Sequence, residues 1–232
     1  MSALEHPGPL DQLAPPRNTS YGAFYFPWIE VYDLTASPST PRATRIIPPT
    51  GHIAGIFARV DRDRGVHKAP TNESVQGIVG LQVAVSQVQQ DILNPKGVNC
   101  LRAFPDRGIR VWGARTMTSD SEWKYVPVRR LAMFIEESIF EGLQWVVFEP
   151  NDQALWSRLI HSISVFLSVV WRNGALAGVR PEEAFFVKCD RTTMTQTDIE
   201  LGHLICLVGI APVRPAEFII LRFQWQTAST NV

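Results

Sequence analysis

Apolar residues along the chain change period several times, and each change marks a boundary between elements. In His52–Gly65, "HIAGIFARVDRDRG", they fall at Ile53, Ile56, Phe57 and Val60 ahead of a charged exit. That spacing is helical, and with Pro49 and Thr50 as a start signal it predicts a short amphipathic helix. Between Val128 and Gly142 the stripe Val128, Leu131, Phe134, Ile135 and Ile139 repeats the period, while Arg129, Arg130, Glu136, Glu137 and Glu141 fall outside it. This helix should pack on one face and show its charges to solvent. Asn151 and Asp152 then cap a longer helix, whose Leu155, Trp156, Leu159, Ile160, Ile163, Leu167 and Trp171 are expected in the core and which Asn173-Gly174 ends. A short helix near residues 86–93 completes the set with a one-to-two-turn helix that opens on the capping-box spacing Thr195 to Asp198 and ends at Gly202.

Other stretches read as extended chain. In "YGAFYFPWIEVYD", Phe24 and Phe26 point one way and Tyr25 the other, and Pro27 confines the segment to a sheet edge. "TASPSTPRATRIIPPTG" is a turn-rich link, and Val98–Phe104 is a strand. "QWVVFEP" reads as a short, fully apolar strand, followed by strands in "EEAFFVKCD" and "HLICLVGIA". In "EFIILRFQWQ", Ile219, Leu221, Phe223 and Trp225 share one apolar face. The order of elements predicts an α+β fold, a two-layer α/β-like sandwich with a mixed β-sheet flanked by helices and extended terminal arms. Residues 1–20, Pro-rich and polar, should form an extended or disordered arm without a core. Residues 21–216 form the core domain and 217–232 a C-terminal strand or arm.

Composition narrows the partners. The chain of 232 residues is 45% hydrophobic, enough for one large domain or two small ones. Lys plus Arg and Asp plus Glu each total 22. That balance offers no basic excess for nucleic acid or an anionic membrane, and near-zero charge favours association of like with like. Cys100, Cys189 and Cys206 are odd in number, widely spaced and set among apolar residues, as suits buried thiols in a reducing cytoplasm. The N-terminal stretch lacks a signal-peptide pattern, and no run approaches the ~18 apolar residues of a membrane span, so a soluble cytoplasmic chain is expected.

Candidate chemistry is sparse. "FPDRGIRVWGARTM" crowds glycine, arginine, aspartate and threonine together, but has neither the GxxxxGK[ST] nor the GxGxxG spacing of a phosphate cradle. Gly108 and Gly113 there read as turn or bulge positions flanking a strand. Cys189, His203 and Asp198 could compose a nucleophile, base and orienting carboxylate. Since Cys189 ends an apolar strand and His203 opens another, a buried thiol and a strand-edge histidine are the commoner arrangement. His52, His67, His161, His203 and the cysteines have no HxxxH or CxxC spacing, and GxSxG is absent, so no metal and no cofactor are expected. Glu136, Glu137 and Glu141 fit surface or intersubunit ion pairs with Arg129 and Arg130 better than a general acid and base. The apolar terminal strand stands out, because a chain end of this kind exposes unpaired backbone unless something covers it. Pairing inside its own sheet and addition to a neighbour's sheet are both open.

Seven stretches, "PPTGHIAGIFARVDRDRGVHKAPTNE", "LNPKGVNCLRAFPDRGIRVWGARTM", "WKYVPVRRLAMFIEESI", "WVVFEPND", "LWSRL", "FFVKCDRTTMTQTDIELG" and "VGIAPVRPAEFIILRF", closely resemble, in order, the C-terminal half of contractile tail sheath proteins of phages and extracellular contractile injection systems. The resemblance implies a structural protein and not an enzyme. Its subunits would stack as hexameric rings in a helical sheath around an inner tube protein, and contraction would drive the tube through a target membrane. It also implies baseplate and tail terminator proteins as partners, with no nucleic acid and no direct membrane insertion. Assembly would take place in the bacterial cytoplasm, and the product would be a virion tail or a released extracellular particle. Terminal arms that add strands to neighbours would use Phe218, Ile219, Ile220, Leu221, Phe223 and Trp225, and Arg110, Arg115, Arg129, Arg130, Glu136 and Glu137 become candidates for intersubunit ion pairs. Such proteins are generally longer, with an N-terminal half this chain lacks. A short variant working with a longer sheath paralogue, a truncated or accessory module that caps a sheath, and a fragment are the readings left open.

Overall fold

A proline divides the first long extended segment between two sheets. β1 (Phe24–Phe26) runs parallel to β5 (Val98–Phe104), with Phe24 opposite Val98 and Phe26 opposite Cys100. Pro27 has no N–H to continue that ladder, and after it β2 (Ile29–Tyr32) pairs antiparallel with β3 (Thr44–Ile47) and β4 (Gly80–Leu81) instead. The computed structural model describes residues 9–36 and 43–218. Between β3 and β5 lie α1 (Thr50–Arg64) and α2 (Gln87–Leu93). Ser86 and Gln89 close a reciprocal capping box at the start of α2. β6 (Gly108–Trp112) returns antiparallel along β5 through a turn in which Asp106 and Gly108 adopt positive φ, so "FPDRGIRVW" is a hairpin.

The second half is helical. α3 (Val126–Gly142) and α4 (Gln153–Arg172) bury Leu131 and Ile135 against Leu155, Leu159, Ile163 and Leu167. Asp152 caps α4 by accepting the Leu155 N–H, and Gly174 at φ 77° follows its end. Then come α5 (Pro181–Ala184), β7 (Phe185–Lys188), α6 (Gln196–Glu200) with its Thr195–Asp198 capping box, and β8 (Leu207–Ile210) antiparallel to β7. The fold is α+β, as expected. A separate core joins α1 to the sheets through Ile29, Ile53, Ile56, Val60, Leu101 and Val111.

Several expectations change. Among the described residues the strands divide among three small sheets, one of them mixed, where a single mixed sheet was expected. "QWVVFEP" is not a strand: Gln144–Val146 form a 3-10 turn, and Val147 and Phe148 lie exposed in the α3–α4 connection. Among the described residues no strand pairs with it, and a short apolar run carries no period that tells strand from loop. The turn-rich link contains β3. Residues 9–20 are seated and not a free arm, since Leu10 and Leu13 pack against the cluster of Phe26, Leu93 and Val98. Arg129, assigned to the solvent face, is buried, whereas Phe134 in the stripe is half exposed. α4 is long and apolar enough to cross a membrane by length and composition alone, contrary to the expectation that no run would be. Here one side of it is the core of this half.

Candidate assembly interface

β7 and β8 make a four-residue antiparallel pair from Phe185–Ile210 to Lys188–Leu207, and among the described residues no other strand joins them. Phe186 lies across Gly209, where a Cβ would meet its ring at 2.0 Å. Phe186, Leu207 and Val208 are exposed, so this small sheet has open edges and an apolar surface. Past β8, Ala177 N–H donates to Ala211 O (2.7 Å) and Val213 N–H to Ala175 O (3.1 Å). The α3–α4 connection adds exposed Trp145, Val147 and Phe148. A groove of about 870 Å³ is lined by Met133, Phe134, Phe166 and Val169 together with Arg62, Arg64 and His67, from α1, α3, α4 and the chain after α1.

Beyond Val213 the chain is held by Glu217. Its carboxylate accepts Nε (2.8 Å) and a terminal nitrogen (2.6 Å) of Arg115, Asn94 Nδ2 (2.9 Å) and the Tyr125 hydroxyl (3.2 Å), with Lys124 Nζ at 4.0 Å. Burial pushes the Glu217 carboxyl up, but the hydrogen bonds from Arg115 and Asn94 prevail and hold it below the usual range. Arg115 is fixed in turn: its other terminal nitrogen donates to Asn94 O (3.0 Å), and its backbone N–H and C=O bond the side chain of fully buried Asn99 at 2.7 Å each. Gly113 allows this packing, since a Cβ there would come within 2.9 Å of Asn99 Cα.

Of the six charges expected between subunits, four are engaged within the chain. Arg115 binds Glu217, and Arg110 donates to Arg107 O and Asn72 O. Arg130 makes a two-pronged pair with Asp61, and Arg129 lies between the rings of Tyr21 (3.9 Å) and Trp123 (4.5 Å). Glu136 and Glu137 are exposed on α3. Phe218 is exposed and outside any strand; Ile219, Ile220, Leu221, Phe223 and Trp225 lie outside the described residues. Sequence reading missed Glu217, Asn94, Asn99 and Tyr125, whose partnerships span up to 123 positions with no local pattern.

Cys189, His203 and Asp198 are each engaged elsewhere. The Cys189 thiol is pushed up by burial and hydrogen-bonds Cys206, itself raised by burial to about 11. Asp198 is held low by the hydroxyl and backbone of Thr195, which it caps. His203 is exposed and touches Asp198 through its backbone N–H. For Cys189 burial outweighs the lowering hydrogen bond with Cys206, so both thiols stay above their ordinary value.

Residues 18–117 match the phage tail sheath protein central domain, and residues 118–226 the phage tail sheath C-terminal domain. The chain belongs to the phage tail sheath family. It is 29% identical over 215 residues to the tail sheath protein of Burkholderia phage BcepMu, covering 89% of this chain and 42% of that protein. It is 25% identical over 246 residues to a putative prophage major tail sheath protein of Pseudomonas aeruginosa, covering all of this chain and 60% of that one. The chain thus spans about half the length of these sheath proteins. Among solved structures, the helical sheath of the anti-feeding prophage in its contracted state superposes with a TM-score of 0.82 at 44% identity, over 91% of this chain and 58% of that one. The PVC sheath complex of an extracellular contractile injection system, also contracted, gives 0.82 at 40% identity, over 90% and 57%.

Proposed function

We propose that this sheath-family chain acts structurally, as a subunit core that polymerises in stacked hexameric rings around an inner tube and contracts to drive that tube through a target membrane. No catalysis enters this reading. The observation that carries it is the two-stranded β7–β8 sheet, open at its edges and apolar on its surface, in a chain whose own apolar terminal segment begins at Phe218. Backbone groups on an open edge supply affinity for an added strand, and apolar side chains on alternate positions supply its register. Strand addition from one subunit to the next would link rings without any cofactor. The apolar groove and the α3–α4 connection would be covered by further copies, since isolated soluble chains seldom expose so much apolar surface in patches. Baseplate and tail terminator proteins would meet the ends of such a stack. The assembled particle would be a phage tail or a released contractile device made in the bacterial cytoplasm.

The test is negative-stain electron microscopy of the purified chain, alone and with its inner tube protein, beside a variant ending at Glu217. Rings or striated tubes that vanish with the truncation are the expected result. Monodisperse monomers under every condition would overturn the autonomous-subunit reading in favour of a capping module.

A further inference from the structure

We propose that Glu217 is the mechanical anchor of the C-terminal segment, so that tension on the chain beyond it passes through Arg115 into the central domain and does not unzip β8 from β7. Its use in a sheath rests on the reading of that segment as a linker; the anchor itself is a property of the single chain. Four observations lead to it.

The β7–β8 ladder is four residues long. A two-stranded pair of that size is marginal, and a strand pulled from its end loses its hydrogen bonds one at a time, each of them individually weak. Only four residues past the Val213 bond to Ala175, Glu217 engages Arg115, Asn94 and Tyr125 together. Those bonds are loaded in parallel, and two form a charge-assisted fork, the strongest arrangement available to a carboxylate. Arg115 and Asn94 belong to the central domain, whereas Glu217 belongs to the C-terminal one, so the clasp carries force across the domain boundary. Asn99 then ties the Arg115 backbone to the Phe24 carbonyl, extending the path into β1 and β5.

An optical-tweezers experiment on the full chain tests this, with one handle after Val232 and the other on Ala58→Cys, an exposed site on α1 of the central domain. Burial raises the thiols of Cys100, Cys189 and Cys206, which leaves the new cysteine the reactive one. The unsubstituted clasp should hold at low force. Glu217→Gln should add a low-force release whose contour length is at most about 37 Å, from roughly 11 residues at about 3.4 Å each as β8 peels back. Arg115→Lys, which keeps the charge and loses the fork, should yield at an intermediate force. Matching thermal melts identify the variants that remain folded. If both clasp variants melt early, Tyr125→Phe, which removes a single hydrogen bond, should give a smaller drop in release force. Identical traces for folded variants and the unsubstituted clasp, or unzipping of the unsubstituted chain at low force, would overturn the anchor. Neither result bears on linkage between subunits, which the truncation at Glu217 tests separately.

Discussion

Asn99 and Leu159 are equally inaccessible, at 0% and 1% exposure, yet they hold their surroundings in opposite ways. Around Asn99 the central domain is fixed by directional polar contacts: three backbone groups on its amide and the Arg115 fork to Glu217. Around Leu159 the C-terminal domain is fixed by apolar volume, with α3, α4 and β7 sharing one cluster. Volume tolerates rearrangement more readily than direction does. The polar region is therefore suited to hold one geometry, and the helical region, with apolar side chains on its outside as well, to meet partners.

Substitutions can break or sharpen that contrast. The largest loss is expected from Leu159→Ala or Leu167→Ala, about 2–5 kcal/mol by urea denaturation, because the removed methyl groups leave a cavity in a closed core. Asn99→Ala should cost about 2–4 kcal/mol, since it removes a partner from two carbonyls and an N–H, the Arg115 pair of them buried. If Asn99→Ala cost less than 1 kcal/mol, the polar half would be held by volume after all. Gly113→Ala follows at about 1–3 kcal/mol, its new methyl group pressed on the Asn99 backbone.

A smaller effect depends on pH. The folded Glu217 carboxyl lies below its ordinary value of 4.5, so its stabilisation is fully present above that value and disappears as pH falls through the lowered one. The difference in melting temperature between the unsubstituted chain and Glu217→Gln should therefore be greatest near pH 7 and shrink below pH 4. A difference that grew on acidification would contradict the clasp geometry. Smallest of all, Phe148→Ser should change stability by no more than about 0.5 kcal/mol, the side chain being fully exposed. It should still weaken self-association in analytical ultracentrifugation.

What could be read from the sequence follows the same division. The helical period and caps placed α1, α3, α4 and α6 to within two residues, because apolar spacing and local hydrogen bonds are written in neighbouring positions. The capping box of Thr195 and the turn at Gly108 are likewise local. The polar clasp is not: Arg115 and Glu217 are 102 positions apart, so Arg115 could be named as an ion-pair candidate but its partner could not. Arg129 misled because a helix stripe assigns charge to solvent, whereas two aromatic faces and the buried length of its own side chain changed the balance. "QWVVFEP" misled for the opposite reason, as Val147 and Phe148 are apolar residues left on the outside.

The N-terminal segment shows one more consequence of the polar half. Asn18 exchanges two hydrogen bonds with Ser119, and Thr19 N–H donates to Met117 O, so the beginning of the central domain is stapled to its end. Pro15 lies close to Gly97, a few residues from Asn94, and Met117 is two residues from Arg115. The polypeptide that comes in at residues 15–19 and the one that leaves at residue 217 therefore share a single mounting point. A module spliced on at one end of this core would sit beside whatever the other end carries, and could report its strain there without any rearrangement of the helices behind it.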